Sequence, residues 1–155
     1  MSQENNELLL QSFSSVFEGF AFMFVEQEPD LDAHNHGACL QADITFKSRD
    51  TLGSLEVIAP EELCTELAEN ILGTETEDLP EDAGDNALKE ILNVSCGSIL
   101  AGKFGTEEVF DLSIPETRSV SEEQWNTCCN SPEYDLFWID ESPMLARFSF
   151  SNRPG

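Results

Sequence analysis

Apolar residues recur at helical spacing along residues 5–20, where Leu9, Phe13, Val16, Phe17 and Phe20 share one side. The pattern predicts an amphipathic helix whose bulky stripe, Phe20 included, faces a core. The stretch F-M-F-V-E-Q-E-P-D then becomes extended and ends at Pro29, and L-D-A-H-N-H-G-A reads as a loop. Over residues 39–48 the period changes to two. Leu40, Ala42, Ile44 and Phe46 alternate with polar residues, which predicts a half-buried strand. A short turn, R-D-T-L-G-S, leads to a second strand around Leu55 to Ala59, and an antiparallel hairpin is the simplest pairing. Pro60 opens a second helix that Gly73 closes, with Leu63, Leu67 and Ile71 as its buried stripe.

The run T-E-T-E-D-L-P-E-D-A-G-D-N, residues 74–86, lacks the D-x-D-x-D-G ligand order of a calcium loop. It reads as a linker and the first turn of a third helix, where acids oppose the positive end of the helix dipole. That helix runs roughly from Pro80 to Lys103. Beyond it V-F-D-L-S-I-P alternates and stops at Pro115, and residues 116–133 look polar and irregular around Trp125, Cys128 and Cys129. Y-D-L-F-W-I-D and M-L-A-R-F-S-F read as a final hairpin joined by E-S-P. The expected fold is therefore α+β, in the order α-β-β-α-α-β-β-β, with helices packed on a largely antiparallel sheet. One domain over 1–155 fits this length.

Composition narrows the function. The formal net charge is −24, from 31 acids against 7 bases. Such a chain cannot neutralise a row of phosphates, so nucleic acid and anionic membrane are excluded as partners. A strongly acidic surface is usually a solubility device; the alternative is a partner that offers a basic or metal-bearing face. Eleven phenylalanines and 40% hydrophobic residues supply a core. The first residues are polar and acidic where a signal peptide would be positive, and the longest apolar window is too short to span a membrane. Five cysteines (Cys39, Cys64, Cys96, Cys128 and Cys129) show no regular spacing, so a reducing cytoplasm is the expected setting.

The third helix carries the candidate chemistry. With Glu90 set at zero and about 100° per residue, Asn93 falls near −60°, Gly97 near −20°, Asn86 near −40°, and Ala83 and Ala101 near +20°. Leu88, Ile91, Leu92, Ser95 and Ile99 collect on the opposite side. Glu90 and Asn93 should therefore point away from the core, flanked by small residues that let another surface approach. A carboxylate can pair with a partner's cation. A carboxamide donates and accepts at once, so it can hold a water in line with an electrophile. In phosphoryl transfer most of the work is positioning and charge stabilisation. The missing metal and cationic groups could come from the partner.

The pattern E-I-L-N, with Gly97 four residues on and Pro115 22 residues after Asn93, resembles the CheC/CheX chemotaxis phosphatases. The single motif and the order of elements resemble CheX in particular. The first helix, Q-S-F-S-S-V-F-E-G-F, lacks the asparagine of a second motif. The resemblance implies that the substrate is the aspartyl-phosphate of a CheY-like receiver domain. Asn93 would orient the attacking water, Glu90 would pair with the receiver's active-site lysine, and the receiver would supply the Mg2+. Asn86 and Gly97 would lie against the partner, and a homodimer through an exposed sheet edge is expected. One departure stands out. The family often has Asp or Ser four residues before the Glu, and this chain has Asn86. That departure motivates the alternative of a non-catalytic module binding a receiver through the same face.

Other residues carry less. His34 and His36 form H-N-H in a loop, without a third ligand suggested nearby. Adjacent Cys128 and Cys129 would close a strained ring if oxidised. Cys96 reads as a small apolar filler, and Trp125 and Trp138 as packing residues.

Overall fold

The structure is a computed structural model that describes residues 3–27 and 31–153. The expected end of the extended stretch at Pro29 lies outside them. In chain order the elements are α1 (Gln3–Ala21), β1 (Val25–Glu26), β2 (Cys39–Lys47), β3 (Thr51–Pro60), α2 (Glu61–Leu72), a turn of 3-10 helix (Thr76–Asp78), α3 (Ala83–Phe104), β4 (Asp111–Leu112), β5 (Glu116–Val120), α4 (Glu122–Cys129), β6 (Asp135–Ile139) and β7 (Ser142–Asn152). The expected α+β order holds.

The strands form one antiparallel sheet in the order β1-β6-β7-β3-β2, with β4 and β5 both on the outer edge of β2. The expected antiparallel β2–β3 hairpin forms, with Leu40 opposite Ala59 and Ile44 opposite Leu55. β3 and β7 pair over eight positions, from Thr51–Asn152 to Ile58–Leu145. One face of the sheet buries Ala42, Ile44, Phe46, Val57, Phe137, Met144 and Phe148 against α1, α2 and α3. The other face holds a smaller core of Ala33, Cys39, Ile58, Val120, Trp125, Trp138 and Leu145.

Three segments differ from the sequence expectation. Phe20 is 46% exposed rather than part of the core stripe. It lies in the last turn of α1, where Phe22 takes a φ of 58° at a position that usually needs glycine. The Met23 amide donates to the Phe17 carbonyl there, and the chain turns away from the core before Phe20 can be covered. Residues 116–133 are regular rather than irregular. β5 escaped notice because an edge strand with one buried residue, Val120, has no apolar alternation. α4 is announced by S-E-E-Q: Ser121 Oγ accepts from the Gln124 amide and the Gln124 side chain accepts from the Ser121 amide, a complete capping box.

The third difference is at Pro115. The strand expected over 109–115 is reduced to Asp111–Leu112. Phe46 faces Leu112 and Asp43 faces Glu116, so Ile44 and Thr45 oppose three residues, Ser113 to Pro115. This is a bulge, and Pro115 is accommodated in it because proline cannot donate to the ladder. Ser113 holds the bulge by donating its amide to the Thr45 carbonyl and accepting the Thr45 amide at Oγ, both at 2.9 Å.

Gly53 in β3 has a packing reason. A Cβ built there would lie 2.4 Å from Phe46 Cζ and 2.4 Å from the Ser149 carbonyl oxygen. Gly53→Ala is expected to destabilise the fold by about 1–3 kcal/mol through overpacking. Thermal unfolding should show a midpoint several degrees lower, and an unchanged midpoint would contradict the close approach.

Candidate functional site

Helix α3 packs on α1 and α2 on one side and on the sheet below. Its inward stripe is fully withdrawn from solvent: Leu88, Ile91, Leu92, Ser95, Cys96 and Ile99 are each at most 1% exposed. That burial fixes the helix's rotation. Glu90, Asn93, Asn86 and Gly97 are all exposed on the opposite side, as the helical spacing requires. Ala101 joins them, whereas Ala83 is buried because α2 covers the first turn of α3. Among the described residues the side chains of Glu90 and Asn93 make no hydrogen bond or ion pair.

The rod that carries the pair is held at both ends. In the first turn Asp85 accepts a hydrogen bond from Thr117 Oγ1 of β5 at 3.0 Å. At the last turn Phe104 packs on Phe110 and Phe150, and Phe110 on Phe46. Gly102 lets α1 come close, since a Cβ there would lie 2.7 Å from Leu8 Cδ1. Gly97 has no such reason. A Cβ at Gly97 would meet nothing within 4 Å, and the same is true of Gly19 near the end of α1. A glycine inside a helix costs about 1 kcal/mol against alanine. At Gly97, as at Gly19, no neighbour in the fold requires the missing side chain.

Asn86 stands where the family often has an acid, and the nearest acid is Asp85, one residue earlier. The structure places them apart: Asp85 is half-buried and engaged by Thr117, while Asn86 lies exposed beside Glu90. Thr117 was missed because its strand was missed. Two shallow depressions flank the exposed strip. One, about 290 Å3, lies against Gly97, Leu100, Ala101, Phe110 and Leu112. The other, about 120 Å3, lies between α2 and α3 beside Asn86 and Glu90.

The remaining candidates settle into structural places. His34 Nδ1 pairs with Asp32 at 2.7 Å and Nε2 with Asn130 at 3.0 Å, which raises the pKa of this exposed ring. His36 sits edge-on to Trp125 and Trp138. Among the described residues no three His, Cys, Asp or Glu side chains converge as a metal site. Burial pushes the Cys39, Cys64 and Cys96 thiols up to about 12, so they act as apolar filler. Cys128 and Cys129 are free, half-buried beside the smaller core. Trp125 is fully buried, with its indole N–H donating to the Ala33 carbonyl at 2.7 Å.

The arrangement is a half-site: a carboxylate and a carboxamide on a rigid surface, with only shallow depressions beside them. Proteins of known structure share this fold. CheX from Vibrio vulnificus is 20% identical, with a TM-score of 0.67 over 96% of this chain and 97% of that one. CheX from Desulfovibrio desulfuricans is 14% identical, with a TM-score of 0.68 over 96% and 99%. The CheX–CheY–BeF3–Mg complex from Borrelia burgdorferi aligns at 14% identity and a TM-score of 0.62 over 94% and 97%. No curated protein matches the chain in sequence. Residues 42–134, which include all of α3, match the family described as chemotaxis phosphatase CheX, and the chain belongs to that family.

Two stability measurements check the site's construction. Gly97→Ala should raise the unfolding free energy by about 0.5–1 kcal/mol, because it removes a helix defect and meets no neighbour. A lower stability would mean that Gly97 is needed by the fold. In a double-mutant cycle of Asp85→Ala and Thr117→Val, urea denaturation should give a coupling of about 1 kcal/mol. A coupling near zero would mean that β5 does not hold the start of α3.

Proposed function

We propose that this protein hydrolyses the aspartyl phosphate of a CheY-type receiver domain, with Asn93 orienting the water and Glu90 anchoring the receiver's active-site lysine. The observation that carries the reading is the pair itself. Both side chains project from a fixed helix with no described partner in their own fold, beside a glycine that packing does not explain. Membership of the CheX family and the Borrelia CheX–CheY complex support it. The chain is read as one such domain over 1–155.

In this mechanism the receiver docks on α3 and Asn93 enters its active site. The amide oxygen accepts from the water and the amide N–H2 donates, so the water's lone pair lies in line with phosphorus. The water oxygen bonds to phosphorus as the bond to the receiver's aspartate breaks. The carboxylate leaves on the receiver, and the water's proton departs with inorganic phosphate. The receiver's Mg2+ supplies charge neutralisation on the phosphoryl oxygens. Glu90 forms an ion pair that fixes docking, while Asn86 and Gly97 allow close contact. Asn86 brings no charge, and Asp85 is held away by Thr117. That observation favours one alternative, a module that binds the receiver without speeding hydrolysis. The apolar edge formed by Val109, Leu112 and Ile114, 81%, 37% and 87% exposed, is read as a surface for self-association, to be checked by light scattering.

Phosphate decay on the receiver provides the test. Asn93→Ala is expected to lower the catalysed rate by roughly 10²-fold with receiver binding retained. Glu90→Ala should weaken binding more than turnover at saturation. Unaltered decay in Asn93→Ala would overturn the catalytic reading, and binding without faster decay by the native chain would favour the alternative.

A further inference from the structure

The depression between α2 and α3 is walled by Ala68, Ile71 and Leu72 on one helix and by Ala83 and Ala87 on the other, with Asn86 and Glu90 at its rim. It exists because the helices approach closely at Gly84, where a Cβ would sit 3.4 Å from Cys64 Cβ, while alanines beyond that point leave the interhelical space unfilled. Leu72, in the last turn of α2, is 56% exposed beside it. That turn contains no basic residue, although a cation there would stabilise the helix dipole. An exposed leucine stands instead at the mouth of an apolar groove, adjacent to the carboxylate assigned to the receiver's lysine.

We propose that this groove receives one aliphatic side chain of the docking receiver, and that Leu72 and Ile71 select which receiver is accepted. The inference rests on the receiver-docking reading above. Continuity supports it, since Glu90 and Asn86 belong both to the groove's rim and to the exposed strip. Size supports it as well. An apolar cavity of roughly 150 Å3 takes a benzene ring, so a groove of about 120 Å3 suits one Val, Leu, Ile or Met side chain. The connection between α2 and α3 exposes Glu75, Glu77, Asp78, Glu81 and Asp82. The chemistry therefore calls for an aliphatic residue flanked by lysine or arginine on the receiver's face, in addition to its active-site lysine.

The test uses the full chain and a CheY-type receiver, held in the active state with beryllofluoride and Mg2+ for binding and phosphorylated for turnover. Leu72→Ser should raise the Kd roughly tenfold, leave kcat at saturation unchanged, and retain the native unfolding midpoint, while Leu72→Met should restore affinity. In methyl NMR, the Leu72, Ile71 and Ala87 signals should shift on titration with the receiver. Added salt should weaken binding of the native chain. Unchanged affinity in Leu72→Ser together with unshifted methyls would overturn the groove proposal, and a large loss of turnover in Asn93→Ala would then leave the phosphatase reading standing. Turnover unaffected by Asn93→Ala would overturn that reading itself.

Discussion

The burial of one side of α3 is the constraint on which the rest depends. Leu88, Ile91, Leu92 and Ile99 fill the space between two other helices and a sheet, at 0–1% exposure. Each such side chain contributes about 1.5–3 kcal/mol by leaving water. Turning the helix far enough to expose this stripe and bury the carboxylate would cost an amount comparable to the whole stability of a typical domain. The outward direction of Glu90 and Asn93 is therefore as secure as the core. Thr117 at one end and the Phe104–Phe110–Phe150 cluster at the other tie the rod to the edge strands.

A half-site of this kind has consequences for chemistry. An exposed amide in bulk water orients nothing, because its hydrogen bonds exchange with solvent. It becomes useful only when a docked surface excludes water and presents an electrophile at a fixed place. On the reading proposed above, the protein would contribute a pre-positioned pair of groups on a rigid helix. The reacting bond, its cation and its metal would all belong to the partner.

The opposite face of the sheet serves stability. Around the smaller core runs a polar chain: Arg118 donates to Gln41, Gln41 to Asp43 and Glu56, and both Tyr134 and Arg147 to Glu56. Glu56 is only 8% exposed, and its charge is matched by Arg147 at 3.3 Å. Desolvation and the bond to Glu56 push the Tyr134 phenol above its ordinary pKa. Through adjacent Thr117 and Arg118, β5 joins this network to the start of α3.

The sequence alone determined the two faces of α3, the β2–β3 hairpin and the stop of α2 at Gly73, since each follows from a local period or a single residue's backbone preference. Gly73 indeed takes a φ of 66°. Tertiary structure decided what depends on distant neighbours. Whether Phe20 is covered depends on where the chain turns after α1. Whether E-T-R-S-V is a strand depends on the free edge of β2, because an edge strand solvated on most of its positions carries no periodic signal. That Asp85 is engaged by Thr117, 32 residues away, was decided by the pairing of β5 with β2. The groove beside Glu90 is a gap between two helices, and no pattern along one chain segment records the space left between two.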